Sequence, residues 1–175
     1  MVQLLLIDSK FIKVPKLKSL VRIKLHRQPK GIIKSATISR HSSGKYYISL
    51  LCKEEIIELP KTNSTIGIDL GIMDFAILSD GQKIDNNKFT SKMEKKLKRE
   101  QRKLSRRALL AKNKGTNLFE AKNYQKQKRK VARLHEKVMN QRTDFLNKLS
   151  TEMIKNHDII CIEDLNTKGM LRIIN

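Results

Sequence analysis

The first sixty residues alternate between short apolar runs and turn signals. Within residues 20–25, Val21, Ile23 and Leu25 alternate with Arg22 and Lys24, which predicts a strand with one apolar and one basic face. Proline cannot continue a strand ladder, so residues 59–63, Leu-Pro-Lys-Thr-Asn, predict a linker. Short strands at this spacing favour a small β-barrel or half-barrel over residues 1–60. The apolar runs predict five strands, at residues 2–7, 11–14, 20–25, 32–38 and 46–52.

Beyond the linker, the pattern predicts a second sheet. Residues 64–71, Ser-Thr-Ile-Gly-Ile-Asp-Leu-Gly, predict a buried strand with Asp69 at its end. Two further strands are predicted at 75–78 and 83–84, joined by an Asp-Gly turn at 80–81. An apolar strand that carries Asp and continues into a hairpin is how an RNase H-like sheet begins.

The carboxylate of Asp69 needs an explanation if the strand is buried. A buried carboxylate is rarely without a partner, and a metal ion is one candidate partner. Gly67 and Gly71 flank Asp69 and allow backbone, phosphate or metal to approach closely. The alternative is that Asp69 caps a turn in which Gly71 has a positive φ. A single motif of this kind leaves both interpretations open.

From Lys88 onward, the apolar period changes to that of a helix. The Gly-containing break at 113–117 divides the pattern into two helices, the second running from about 118 to 156. Two long helices joined by a short loop are expected to pack antiparallel. The first apolar stripe has one polar step near Glu100 and comprises Met93, Leu97, Leu104, Ala108 and Ala111. The second comprises Tyr124, Val131, Leu134, Val138, Phe145, Leu149 and Met153.

The charge of the chain is concentrated in these helices. The formal net charge is +21 and the pI is about 10.2, which favours a nucleic-acid partner. Residues 88–142 hold 20 Lys or Arg and 4 Glu, a net charge of +16. A solvated face is the alternative, but so large an uncompensated charge is more easily explained if phosphates neutralise it. The candidate nucleic-acid-binding residues are Arg99, Arg102, Lys103, Arg106, Arg107, Lys128, Arg129, Lys130 and Arg133.

Composition excludes several other classes of protein. No run of 18 apolar residues exists, and the first residues lack the charged region of a signal peptide, so we expect neither a membrane span nor secretion. Cys52 and Cys161 lie in apolar runs and are expected to be buried and unpaired. An intracellular location, in the cytoplasm or nucleoid, fits this reduced state. The four histidines lack metal-ligand spacing, and no zinc site is predicted.

The chain returns to an apolar run at 158–162, followed by Glu163 and Asp164. A strand that follows a helical crossover can lie parallel to the first strand, which would bring Asp69 and Glu163 to the same end of the sheet. Two converging carboxylates repel each other unless a divalent cation lies between them. This arrangement favours metal-assisted phosphodiester hydrolysis with Mg²⁺ or Mn²⁺. Alternatively, Glu163 or Asp164 caps the next turn.

Taken together, these motifs resemble the TnpB (OrfB) family of transposon-encoded proteins. Members of this family are RNA-guided DNA nucleases related to the type V CRISPR effectors and are often described as transposases. The resemblance extends over nearly the whole chain. In the barrel-like region it is carried by residues 25–27, 31–34 and 36–39. Further on it is carried by residues 66–71, 79–81, 101–106, 134–137, 140–145, 162–166 and 168–170.

The resemblance implies a fold and a site. It implies a mixed α/β chain with a RuvC-type, RNase H-like nuclease domain over 64–175, which includes a long antiparallel helical hairpin at 88–156. A wedge-like or OB-like β-barrel domain that binds nucleic acid would precede it at 1–60. Asp69 and Glu163 would be the first and second catalytic carboxylates and the ligands of Mg²⁺ or Mn²⁺, with DNA and a guide RNA as partners.

Family members also carry a third catalytic Asp downstream, preceded by a four-cysteine zinc ribbon. The chain ends at Asn175 before either feature, and it begins inside the predicted barrel. We therefore expect a truncated copy or fragment of such a nuclease, without a zinc site.

Three functions compete at this stage. The first is a chain of the nuclease family, whose full-length members hydrolyse DNA with the help of a metal. The second is a non-catalytic RNA- or DNA-binding protein derived from that family, which the missing third carboxylate favours. The third is a sugar-kinase-like or actin-like ATPase, since those folds share a similar Gly-Ile-Asp-Leu-Gly strand. The basic helices argue against the third.

Overall fold

A computed structural model describes residues 5–7 and 10–163 of the chain, with the backbone alone at 5–7. The chain divides into two compact units, Met1–Glu58 and Leu59–Asn175. The described residues form nine strands and two helices, which confirms the predicted mixed α/β composition.

The first unit contains two separate antiparallel sheets. Strands β1 (Leu5–Ile7), β2 (Phe11–Lys13) and β3 (Val21–Arg22) form one, and β4 (Ile32–Arg40) pairs with β5 (Tyr46–Lys53) in the other. Neither sheet closes on itself within the described residues, so a closed β-barrel is wrong there, and the half-barrel alternative stays a prediction. The strand predicted at 20–25 spans only two residues, Val21–Arg22. It is too short to extend the first sheet to a further strand.

Backbone geometry fixes both ends of the β4–β5 hairpin. Gly31 has φ +70°, and a Cβ at this position would lie 2.0 Å from the carbonyl oxygen of Lys53, so only glycine fits. At the other end, Gly44 has φ +88° and donates to the His41 carbonyl at 2.9 Å. The His41 N–H in turn donates to the Lys45 carbonyl at 2.9 Å, which closes the turn.

The second unit is built on a four-stranded sheet. Strands β6 (Thr65–Leu70), β7 (Asp74–Leu78), β8 (Lys83–Asp85) and β9 (Ile159–Ile162) lie in the order β8-β7-β6-β9. The β6–β7 and β7–β8 pairs are antiparallel, and β6 and β9 are parallel. The predicted hairpin strands and the parallel return strand are therefore confirmed.

Helices α1 (Phe89–Asn113) and α2 (Lys122–Asn156) form the predicted hairpin. Contacts across it pair residue 90 with 142, 100 with 127 and 107 with 123, so the helices are antiparallel. The second helix begins four residues later than predicted, because the Asn117 carbonyl instead accepts hydrogen bonds from two N–H groups of the connecting turn. Neither helix combines the length and the apolar character that crossing a membrane would require, which applies to the described part of the chain.

The C-terminal half of α2 covers one face of the sheet. Its Met153 packs with Ile66 and Leu78 in the buried core. Four partly buried side chains surround them, Ile68, Ile84, Leu149 and Ile160. The opposite sheet face carries Cys161, which is exposed. The predicted burial of Cys161 is wrong because side chains alternate along β9, and Ile160 takes the core side. Cys52 is partly buried.

Candidate functional site

The register between β6 and β9 is set at their N-terminal ends. The Asp158 carboxylate accepts hydrogen bonds from the backbone N–H groups of Thr62 at 3.0 Å and Asn63 at 2.7 Å. These hydrogen bonds, the one from Thr62 first, hold the pKa of Asp158 below its usual value. The Ser64 carbonyl accepts the Asp158 N–H at 2.9 Å, and the Ser64 hydroxyl lies 2.8 Å from Nδ1 of His157. Hydrogen bonds therefore join the residues that follow α2 to the residue that precedes β6.

This register brings the two predicted catalytic residues to one end of the sheet. Ile66 pairs with Ile160 and Ile68 with Ile162 in the parallel ladder. Asp69 and Glu163 each follow the last of these pairs directly, so their backbones leave the same end of neighbouring strands.

Both carboxylates are exposed. The prediction that Asp69 ends a buried strand as a buried carboxylate is therefore wrong. Ile66 and Ile68 take the core side of β6, and alternation turns Asp69 toward the face away from α2.

The turn-cap interpretation of Asp69 is also wrong. Asp69 lies inside β6 and pairs with Ile77 of β7. Gly71 does not have the positive φ that this interpretation requires. Instead, a Cβ on Gly71 would lie 3.0 Å from the Asp74 carbonyl oxygen, so a side chain at this position would require the backbone of the β6–β7 turn to shift.

The parallel register places the backbones of Asp69 and Glu163 side by side at this end of the sheet. No group of three His, Cys, Asp or Glu side chains suited to a metal occurs in that part of the chain. Asp80 is occupied in its turn, where its carboxylate accepts the Gln82 N–H at 2.9 Å. Asp164 and the rest of the predicted motif at 164–170 lie outside the described residues.

The predicted nucleic-acid-binding residues lie along the helical hairpin. Arg107 differs from the others because it is half-buried, and its guanidinium donates to the Asn123 carbonyl at 2.9 Å across the two helices. This hydrogen bond links α1 to α2, so Arg107 stabilises the helical hairpin. The other eight are exposed: Arg99, Arg102, Lys103, Arg106, Lys128, Arg129, Lys130 and Arg133.

Glu100 is the main acidic group among these cations. Its side chain is 1% exposed and accepts a hydrogen bond from Nε2 of Gln127 at 2.8 Å. Its carboxylate oxygens also lie 3.2 Å from Lys130 Nζ, 3.6 Å from Arg99 Nε and 3.8 Å from Lys103 Nζ. The hydrogen bonds from Gln127 and Lys130 lower the pKa of Glu100 to about 2. One buried anion therefore orients cations from both helices.

Sequence reasoning missed this role. Glu100 and Gln127 occupy the helix–helix contact, and Glu136 is buried farther along α2. The signal was present as the polar step in the apolar stripe of α1. A polar residue on the apolar side of a long helix indicates a buried partner on the facing helix, here Gln127.

Three comparisons with known proteins bear on this arrangement. The sequence profile of the OrfB_IS605 family, described as "Probable transposase", matches residues 49–174. A protein of Escherichia coli (strain K12) named "Putative RNA-guided DNA endonuclease InsQ" is 39% identical over 93% of this chain and 38% of its own length. A "Putative RNA-guided DNA endonuclease" of Streptomyces pristinaespiralis is 38% identical over 79% of this chain and 32% of its own length.

The chain thus spans about a third of the length of these curated relatives. The family profile extends over most of the chain, including both strands that carry the candidate carboxylates and the whole helical hairpin between them. The chain therefore belongs to the OrfB_IS605 family, the TnpB (OrfB) transposases that its sequence motifs predicted.

Proposed function

We propose that this chain is a segment of a transposon-associated, RNA-guided DNA endonuclease, in which the helical hairpin binds nucleic acid and Asp69 and Glu163 belong to the metal-dependent site. DNA and a guide RNA are the proposed partners, in line with the names of the two relatives. The observation that carries the proposal is the parallel pairing of β6 with β9, which supports a shared site for the two carboxylates.

The charge of the hairpin supports nucleic-acid binding. Residues 88–142 have a net charge of +16, and eight of the nine candidate cations are exposed. Glu100 neutralises one charge of a group that contains Arg99, Lys103 and Lys130. A phosphate backbone releases counterions when such cations neutralise it, which supplies most of the affinity for non-specific binding.

The two carboxylates fit a single hydrated divalent cation. Mg²⁺ prefers oxygen ligands, keeps several waters and is bound in proteins through one or two carboxylates. Asp69 and Glu163 offer such oxygens, both are exposed to water, and neither forms an ion pair with another described residue. When bound, Mg²⁺ or Mn²⁺ would supply charge stabilisation and an activated water for phosphodiester hydrolysis.

The chain itself contributes positioning to this chemistry. The Asp158 hydrogen bonds fix the β6–β9 register, so Asp69 is held within β6 and Glu163 directly follows the end of β9. The hairpin cations would bind other phosphates of the same nucleic acid, away from the reacting one, and so hold it in place.

A non-catalytic binding protein is the second candidate function. One observation supports it: among the described residues, no third metal-binding side chain joins Asp69 and Glu163. Two-metal hydrolysis needs anchored charge on both the attacking and the leaving oxygen. Under this alternative the hairpin binds nucleic acid and the sheet edge has no catalytic task.

A calorimetric titration with Mg²⁺ and Mn²⁺ tests the proposed site. We expect weak binding by the wild-type chain, lost in Asp69→Asn and in Glu163→Gln. Asp80→Asn is the matched control, since it removes one exposed carboxylate that serves a turn. Equal loss in the control, or no loss in the two site variants, would contradict the metal site. Plasmid nicking by the wild-type chain with a candidate guide RNA, abolished in both site variants, would exclude the non-catalytic alternative.

A further inference from the structure

The loop between α1 and α2 exposes an aromatic ring. Phe119 is 85% exposed, the largest value for any aromatic side chain that the structure describes. The rings of Phe75 and Phe89, in contrast, pack edge-on against Phe145. Nearby positions in sequence are also apolar and exposed: Leu109 at 59%, Leu110 at 59% and Leu118 at 39%.

Hydrogen bonds order the backbone that carries this ring. The Asn117 side-chain oxygen accepts the Phe119 N–H at 3.0 Å, and the Asn117 carbonyl accepts the next two N–H groups, each at 3.0 Å. The Gln125 side chain donates to the Leu118 carbonyl at 2.7 Å. Because the loop backbone is already ordered, a ligand that contacts Phe119 loses little free energy in ordering it.

The charge around the ring identifies the kind of ligand. Residues 106–122 hold five basic residues and one acidic residue, Glu120. An apolar ring in a strongly positive loop matches a partner that has both negative charge and flat apolar faces. A single-stranded nucleic acid has both, since each unpaired base offers a π-face beside a phosphate. Bases inside a duplex are already stacked on their neighbours.

We propose that Phe119 is a stacking site for an unpaired base of single-stranded nucleic acid, with the basic residues of 106–122 contacting the adjacent phosphates. The proposal rests on the nucleic-acid binding proposed above and adds a class of ligand to it. A phenyl ring contacts only the face of a base, so DNA and RNA single strands share the chemistry.

The test compares Phe119→Ala with Phe119→Trp in the full chain. The probes are short DNA and RNA single strands of one sequence, each with a 2-aminopurine, and the matching DNA duplex. Loss of one stacked base should weaken single-strand binding by at least about fivefold in Phe119→Ala. Duplex affinity should be unchanged, Phe119→Trp should retain the wild-type affinity, and 2-aminopurine quenching should fall only in Phe119→Ala.

Ile154→Ala is the matched control, because it removes an exposed apolar side chain without an aromatic ring, 57% exposed, from the same unit. It should bind like the wild-type chain. The salt dependence of binding should be the same in Phe119→Ala and the wild-type chain, since the ring neutralises no phosphate. A loss confined to DNA or to RNA would support the proposal and identify the strand type.

Unchanged single-strand binding in Phe119→Ala, or equal losses for single strand and duplex, would overturn the stacking site. A change in self-association without a change in binding would also overturn it and indicate a protein-docking surface. If the wild-type chain binds no nucleic acid at all, the proposed function itself fails. If binding by the wild-type chain depends steeply on salt and Phe119→Ala has no effect, only the stacking site is excluded and the proposed nucleic-acid binding stands.

Discussion

The salt dependence of nucleic-acid binding is the most direct test of the hairpin surface. Replacing Arg102, Arg106, Lys128 and Arg129 with Gln removes four exposed cations that have no ion pair with a described residue. Arg107 is left in place because its contact with Asn123 holds the helices together. Any loss of binding in this quadruple variant is therefore assigned to charge and not to unfolding.

The size of the effect follows from counterion release. Each phosphate contact on duplex DNA contributes about 0.9 to the slope of log K against log salt, so four contacts contribute up to about 3.6. Between 50 and 200 mM salt, the wild-type chain should therefore lose up to roughly 100-fold more affinity than the quadruple variant. Fluorescence anisotropy with one labelled duplex over a salt series measures both slopes.

A second quadruple variant controls for net charge. Lys18, Lys24, Lys53 and Lys61 are exposed and lie outside residues 88–142, and their replacement by Gln lowers the net charge equally. This control should keep most of the wild-type slope. Equal flattening in both variants would refute the assignment of phosphate contacts to the hairpin, because overall charge alone would then explain the binding.

Two further predictions concern stability. The pKa of Glu100 is lowered from 4.5 to about 2 in the folded chain, so its stabilising contribution is complete above pH 4.5 and is lost as the pH falls toward 2. Glu100→Gln should therefore unfold at a lower temperature than the wild-type chain at pH 7 by calorimetry, and the difference should shrink in this acidic range; a constant difference would contradict the assignment. Met153→Ala should cost about 2–5 kcal/mol in urea unfolding, since Met153 is 7% exposed in the core, whereas Met139→Ala on the same helix, 50% exposed, should cost little.

Local patterns in the sequence predict the elements of the second unit well. The apolar residues of both helices recur with the period of an α-helix. The buried residues Ala111, Val131 and Met153 all belong to these stripes. The parallel strand β9 follows from the handedness of a helical crossover. These features depend on residues close in sequence or on a general rule of connection.

The failures have a different origin. Ile66 and Ile68 share one face of β6 and Asp69 lies on the other, but a run such as Ile-Gly-Ile-Asp does not specify whether that other face is also covered. The same applies to Cys161. Closure of a barrel in the first unit depends on pairing between distant strands, which a list of short strands leaves undetermined. The partner of Glu100 lies 27 residues away on another helix.

The length of α2 determines how far the proposed nucleic-acid-binding residues lie from the two carboxylates. Gln127 contacts Glu100 at the basic part of the hairpin, and Phe145 packs edge-on against Phe75, which lies beside the end of β6 that carries Asp69. Gln127 and Phe145 both lie on α2, which is one continuous helix. At about 1.5 Å per residue, they are about 27 Å apart along its axis.

A phosphate bound beside Glu100 is therefore too far from the sheet edge to be the reacting one. A duplex that reaches from Glu100 to the level of the two carboxylates needs about 8 base pairs, at about 3.4 Å for each phosphate along a strand. We expect affinity to rise with duplex length up to about this size and then to level off, apart from the statistical gain of extra binding positions. Anisotropy titrations with a series of duplexes at fixed salt would measure this, with the quadruple hairpin variant as the control that should level off earlier. A plateau at half this length in the wild-type chain would mean that the hairpin cations and the carboxylate edge do not contact the same nucleic acid.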